Sequence, residues 1–152
     1  MASAKVAWVK TSEGLKSEHT EMMSRLSELD AALESLLCYS EVYADLAGVG
    51  PAQEMAKWLA ARLPDHFMRE ENGILAEIGR MGPDSAAFEH EMKRQHQEIR
   101  KHLESFRKAA DAFQTAEDLQ QSISDLKEEG KALSSFMAAH MGAEERKYAA
   151  FK

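Results

Sequence analysis

Apolar residues recur every three or four positions along four stretches of this 152-residue chain, and only 3 Pro and 8 Gly punctuate it. That spacing turns one face of a helix toward a shared core, whereas strands need a two-residue alternation that is absent here. The first stripe is Leu15, Met22, Leu26, Leu29, Leu33 and Leu36, entered after Thr11-Ser12 as a candidate N-cap. The break from Ala47 to Pro51 starts a second helix, with Pro51 in its first turn, that runs to about Arg80 before Gly82-Pro83 stops it. Pro64 lies inside that helix and predicts a kink or a backbone carbonyl left to water. A third helix spans about Asp84 to Phe113, and a fourth spans about Asp118 to Tyr148 after a turn near Gln114 to Glu117. Connections this short favour antiparallel neighbours. The expected fold is therefore all-α: an up-down-up-down antiparallel four-helix bundle over residues 12–152, with residues 1–11 as an N-terminal arm. Val6, Trp8 and Val9 of that arm either pack over the bundle or fray.

Level counting adds one expectation. His19 lies far before Gly48, whereas His66 follows Pro51 closely, a mismatch of about 20 Å at ~1.5 Å rise per residue. The first helix should therefore end or bend near Cys38 to Glu41, with Val42 to Val49 folding over one end of the bundle.

Composition narrows the function classes. With 19 Lys and Arg against 26 Asp and Glu, the chain carries −7, a poor match for phosphate backbones, so no nucleic-acid partner is expected. No stretch approaches the ~20 apolar residues of a membrane span, and the N-terminal residues lack a signal-peptide core, so the expectation is a cytoplasmic protein without a membrane partner. A single Cys38 excludes an intramolecular disulfide and reads as a small buried hydrophobe.

Four of the six His fall in phase with the stripes. His19 lies between Leu15 and Met22. His96 sits in the series Met92, His96, Ile99, Leu103, Phe106, Ala110, Phe113. Leu59, Leu63, His66, Glu70 and Ile74 share one face of the second helix, and Leu126, Leu133, Met137, His140 and Glu144 share one face of the fourth. Each helix thus points one His at the common core, and two Glu join them. His90 and His102 are about 120° off the stripe and read as exposed, with His102 able to hydrogen-bond near the site. A carboxylate aimed into a core is costly unless it is paired or bound to metal. Residues at i and i+4 lie one above the other, so His-x-x-x-Glu can present two ligands to one cation, and a carboxylate can bridge two.

The arrangement is not an accident of composition. Glu makes up about one residue in eight, yet both His66 and His140 are followed by Glu at i+4 and i+5, a coincidence of roughly 0.4% for six His. The halves also repeat: the sequence around His19 is similar to that around His96, and each half is a helix with one His followed by a helix with His-x-x-x-Glu. Two such hairpins related by a pseudo-two-fold axis would supply four His and two Glu symmetrically.

These residues resemble the hemerythrin-like (HHE cation-binding) domain family over roughly residues 12 to 150. The resemblance implies a four-helix bundle around a non-haem di-iron centre, an oxo- or hydroxo-bridged pair of iron ions. It implies His19, His66, His96 and His140 as terminal ligands and Glu70 and Glu144 as bridges. Oxygen-carrying members use a fifth His on the third helix. Here Arg100 and Met92 stand one turn either side of His96, so the closer match is the subgroup with four His and two Glu. That subgroup includes bacterial proteins that repair iron–sulfur clusters, which carry an additional Cys-containing domain.

The remaining candidates take ordinary readings. Glu71 and Glu145, at i+5, turn away from the site toward the surface or an outer layer. Met22, Met68, Met92 and Met137 read as core filling. Tyr148 reads as packing, or as lining an access path. The function implied is an iron-binding protein that binds, senses or reacts with dioxygen, nitric oxide or peroxide. A metal-dependent regulatory, storage or donation module, an iron–sulfur repair protein, and a peroxide or nitric oxide reductase are the alternatives, and a protein partner fits the regulatory one. Zinc or manganese can occupy such a site in purified protein.

Overall fold

The computed structural model describes residues 2–38, 44–115 and 117–150, with side chains over 13–37, 45–113 and 117–150. Four long helices form the bundle: α1 (Ala2–Glu34), α2 (Val49–Asn72), α4 (Pro83–Asp111) and α5 (Leu119–Ala150), with a short α3 (Ile74–Gly79) between the middle two. α1 packs on α2 and α5, and α4 packs on α2 and α5, so each long helix has two principal neighbours around a central core. The expected stripes are the buried ones: Leu15, Met22, Leu26, Leu29, Leu33 and Leu36 all face inward, as do Leu59, Leu63, Ile99, Phe106, Leu126 and Leu133. Burying a side chain of this kind contributes about 1.5–3 kcal/mol, so packing, rather than helix propensity, holds the elements together.

The boundaries differ from the sequence reading in instructive ways. α1 begins at Ala2 and passes through Thr11-Ser12, so that pair is not an N-cap. The side chains of Val6, Trp8 and Val9 lie outside the described residues. α1 ends at Glu34, about a turn before Cys38, and Leu37–Cys38 (β1) then pairs antiparallel with Ala44–Asp45 (β2). This small clip removes the level mismatch: His19 is fifteen residues from the end of α1, and His66 is seventeen from the start of α2. The expected fold-over from Val42 lies partly outside the described residues, as does the side chain of Cys38. Gly48 admits the close approach of α1 and α2, because a Cβ there would sit 2.1 Å from the Ala32 carbonyl oxygen.

The second helix does not run through to Arg80. It stops at Gly73 (φ −109°, ψ −103°), and α3 starts afresh, burying Ile74, Leu75 and Ile78 against Leu15, Met92 and Tyr148. Gly82 (φ +136°) and Pro83 then turn the chain into α4, glycine supplying the positive φ and proline fitting the first helical turn. Pro64 sits within an unbroken helix. Its missing N–H leaves the Ala60 carbonyl without a helical donor, and both residues line an open hollow of about 200 Å³. Asp118 caps α5 by accepting a bond from the Gln121 N–H at 3.0 Å.

Candidate metal centre

The in-phase His and Glu residues of all four long helices meet in the core of the bundle. His19 (α1), His66 and Glu70 (α2), His96 (α4), and His140 and Glu144 (α5) are all 0–2% exposed. The i, i+4 pairs behave as the helix geometry dictates: His66 Nε2 lies 2.7 Å from Glu70 Oε1, and His140 Nε2 lies 2.8 Å from Glu144 Oε1. His19 Nε2 is 3.7 Å from Glu70 Oε2 and 3.6 Å from Glu144 Oε1. His96 Nε2 is 3.7 Å from Glu70 Oε1 and 3.6 Å from Glu144 Oε2. The four Nε2 atoms therefore converge on the two carboxylates, in two matching halves.

Every Nδ1 points the other way and meets an acceptor. His19 pairs with Glu145 (3.0 Å), His66 with Glu18 (2.6 Å), His96 with Glu71 (2.8 Å) and His140 with the Gln95 side-chain oxygen (2.8 Å). Such contacts put the proton on Nδ1 and leave the Nε2 lone pair directed inward, as a metal-binding imidazole requires. Tyr148, from one turn beyond Glu144, reaches Glu70 Oε2 at 2.7 Å and Glu144 Oε2 at 2.9 Å.

Although His66 Nε2 and His140 Nε2 lie close to the two Oε1 atoms, Glu70 Oε1, Glu144 Oε1, His96 Nε2 and His140 Nε2 make no hydrogen bond of good geometry. Native cores satisfy nearly all such atoms, and leaving one unmet costs about 1–3 kcal/mol. All four point into the same small space. A cation among them would accept their lone pairs, and imidazole with carboxylate suits iron, zinc, copper or nickel. Glu70, His96, His140 and Glu144 form one grouping whose ligand atoms lie within 4.8 Å of one another, and His19, His66 and Glu70 form a second.

The electrostatics agree. Burial, then the neighbouring Glu70 charge, push the Glu144 carboxyl well above its ordinary range. Burial also acts to raise Glu70, but His66, Glu144 and His19 outweigh it and hold Glu70 below the usual carboxylate range. Burial lowers His19 and His96, and burial with the His96 charge pushes His140 down to about 3. Burial would lower His66 too, yet Glu70 and Glu18 raise it overall. Without a cation, burial and the Glu70 charge thus favour the protonated form of Glu144, and Glu70 and Glu18 favour that of His66.

Around this core, Phe67 stacks on His96 with ring centroids 4.0 Å apart and planes at 13°, and the Arg100 guanidinium lies over the same phenyl ring at 5.3 Å. Arg100 is thus a surface cation above an aromatic lid. A hollow of about 180 Å³ between α1 and α2, lined by Glu18, Trp58, Arg62 and Arg69 among others, reaches His66. Arg69 donates to Glu18 and closes part of it.

Other sequence expectations divide. His90 is exposed, and His102 is half-buried against Phe136 (5.2 Å between centroids), away from the cluster. Met22, Met92 and Met137 fill the core, but Met68 is 53% exposed and does not. Glu71 and Glu145 leave the inner cluster as expected and form an outer layer. Glu18, Gln95 and the role of Tyr148 escaped the sequence reading. Their signal was position: Glu18 and Gln95 each precede a stripe His directly, and Tyr148 stands at i+4 from Glu144.

No helix among the described residues is long and apolar enough to cross a membrane. No curated protein and no solved structure matches the chain. Residues 10–151 match the family described as Hemerythrin HHE cation binding domain. With its buried His and Glu cluster inside a four-helix bundle, the chain belongs to the hemerythrin HHE cation-binding family and is a metal-binding domain.

Proposed function

We propose that the chain holds a non-haem di-iron centre, with His19 and His66 serving one iron, His96 and His140 the other, and Glu70 and Glu144 bridging both, and that this centre binds or reacts with dioxygen, nitric oxide or peroxide. One observation carries the reading: four Nε2 atoms, each oriented by an outer acceptor on its Nδ1, surround two buried carboxylates whose Oε1 atoms face imidazole nitrogens without a well-formed hydrogen bond. Two imidazoles and two shared carboxylates per ion leave positions for a small ligand. That donor set favours reactivity or iron donation over reversible oxygen carriage, since a fifth His is absent and Arg100 and Met92 flank His96 instead.

The protein residues have separable duties. The His orient lone pairs, the Glu supply the negative charge that a pair of cations neutralises, and Tyr148 holds a proton between the two Glu Oε2 atoms. Phe67 keeps water from the face of His96. The test is elemental analysis with an ultraviolet–visible spectrum on protein from iron-supplied cells. About two irons per chain, with the near-ultraviolet bands of a coupled ferric pair, is the expected result. Absence of stoichiometric metal after anaerobic ferrous reconstitution overturns the reading, as does retention of two irons by the E70Q/E144Q double variant. Turnover of hydrogen peroxide or nitric oxide by the loaded protein makes it an enzyme.

A further inference from the structure

The His–Glu distances of the inner cluster obey its pseudo-two-fold closely, although His19 Nε2 also lies 3.1 Å from His66 Nε2 and Tyr148 bonds both carboxylates from one side. His66–Glu70 and His140–Glu144 differ by 0.1 Å, and the contacts of His19 and His96 to the two carboxylates match equally well. The outer layer obeys it too, with one departure. Glu71 on His96 corresponds to Glu145 on His19, each being the residue after a bridging Glu. Glu18 on His66 corresponds to the residue before His96, and there the chain has Gln95. Three imidazoles are thus held by carboxylates, and His140 alone by a neutral amide.

The amide is fixed in that role. Gln95 Nε2 donates to Glu91 Oε1 at 3.0 Å, so its oxygen is the atom presented to His140 Nδ1. Glu91 is itself held by Arg94 through two bonds of 2.7 and 2.9 Å. On the other side Glu18 divides its oxygens, Oε1 to Arg69 and Oε2 to His66 Nδ1, so His66 keeps a carboxylate partner.

We infer that Gln95 makes the two cation positions unequal, so that the His19/His66 position fills before the His96/His140 position. This rests on the two-cation reading above. A carboxylate on Nδ1–H raises the basicity of the imidazole and so its affinity for a cation, whereas an amide does so less, and an outer partner of this kind typically changes metal affinity by about 10–100-fold. The half-loaded protein is therefore a populated species with its cation on the α1/α2 side. Because both carboxylates face both positions at similar distances, the bridging Glu residues do not impose the order.

The experiment is a Zn²⁺ titration of the metal-free full chain, 15N-labelled, followed by long-range 1H–15N correlation of the His rings. The expected result is movement of the His19 and His66 Nε2 resonances over the first equivalent and of His96 and His140 over the second, the second step being about 10–100-fold weaker. Q95E should tighten the second step by that factor so that all four move together. E18Q should merge the steps from the other side, by weakening the first. Simultaneous movement in the wild type, the reverse order, or a gap that survives both substitutions overturns the inference while leaving the ligand set intact. No Nε2 movement at two equivalents refutes the ligand set itself, and with it the inference.

Discussion

Glu144→Gln should make the metal-free protein more stable and at the same time empty its metal site. Glu70 and Glu144 both sit in the core at 0% exposure, and their Oε2 atoms bond the same Tyr148 hydroxyl, so they are no more than about 5.6 Å apart. Two unit charges at that separation repel by about 3 kcal/mol at an effective dielectric of ~20. Burial and the Glu70 charge push the Glu144 carboxyl well up, which favours its protonated form and relieves part of this repulsion in the wild type. A carboxyl raised in the folded state stabilises the fold while protonated and loses that stability as pH rises through the raised value. Gln carries no such liability and still offers an amide oxygen to Tyr148. The gain should therefore be small near pH 5 and approach about 3 kcal/mol at alkaline pH, or roughly 6–12 °C in Tm for a domain of this size. The assay is calorimetry on chelator-treated protein from pH 5 to 9, with elemental analysis of the same variant after iron loading. A variant that melts below the wild type at pH 9, or one that keeps two irons, would refute the reasoning.

Metal uptake should expel protons, because Glu144 and His66 are both held toward their protonated forms in the metal-free cluster. Affinity should then weaken as pH is lowered, and the apparent binding heat should track the ionisation heat of the buffer; identical heats in phosphate and Tris count against this. Phe67→Ala removes a fully buried ring from the His96 face and should cost about 3–5 kcal/mol by urea denaturation, while admitting water beside the centre. A loss under 1 kcal/mol would mean the ring is not packed there. Gly48→Ala forces a methyl against the Ala32 carbonyl and should cost about 1–3 kcal/mol with metal content unchanged; a more stable variant would contradict the close α1–α2 approach.

How far the sequence could be read depended on whether a residue acts along its own helix or across to another. The stripes, and with them His19, His66, Glu70, His96, His140 and Glu144, were legible because helical period alone decides which residues share an inward face. The membership of the bundle followed from the same period and the short connections. Gly73 was not foreseen as a helix end, since an isolated glycine inside a periodic run is tolerated in many helices. Nor could the end of α1 at Glu34 be placed, because Leu36 continues the apolar phase of the helix while its N–H already bonds the Leu33 carbonyl in a tighter turn. The outer layer is the harder case. Glu18 and Gln95 lie off their own stripes and reach the cluster only through the His of the neighbouring helix, so their role depends on helix levels that no local pattern records. Met68 fails for the opposite reason, being apolar in composition but turned to solvent beside Phe67.

The metal cluster also divides the apolar interior in two. Leu15, Ile74, Leu75, Ile78, Met92 and Tyr148 form a small group at the end of the bundle closed by α3, and the large group from Met22 to Met141 fills the rest. Between them lies a seam of imidazoles and carboxylates, with unpaired atoms when no cation is present. Such a seam is held by polar contacts rather than continuous apolar packing, so the small end should open as a separate cooperative unit in the metal-free protein. The cation pair proposed above would join all four long helices at that level and would convert the two units into one. Loss of metal would then be felt first as local opening around α3, giving the protein an intrinsic way to expose its empty site while the larger part of the bundle stays folded.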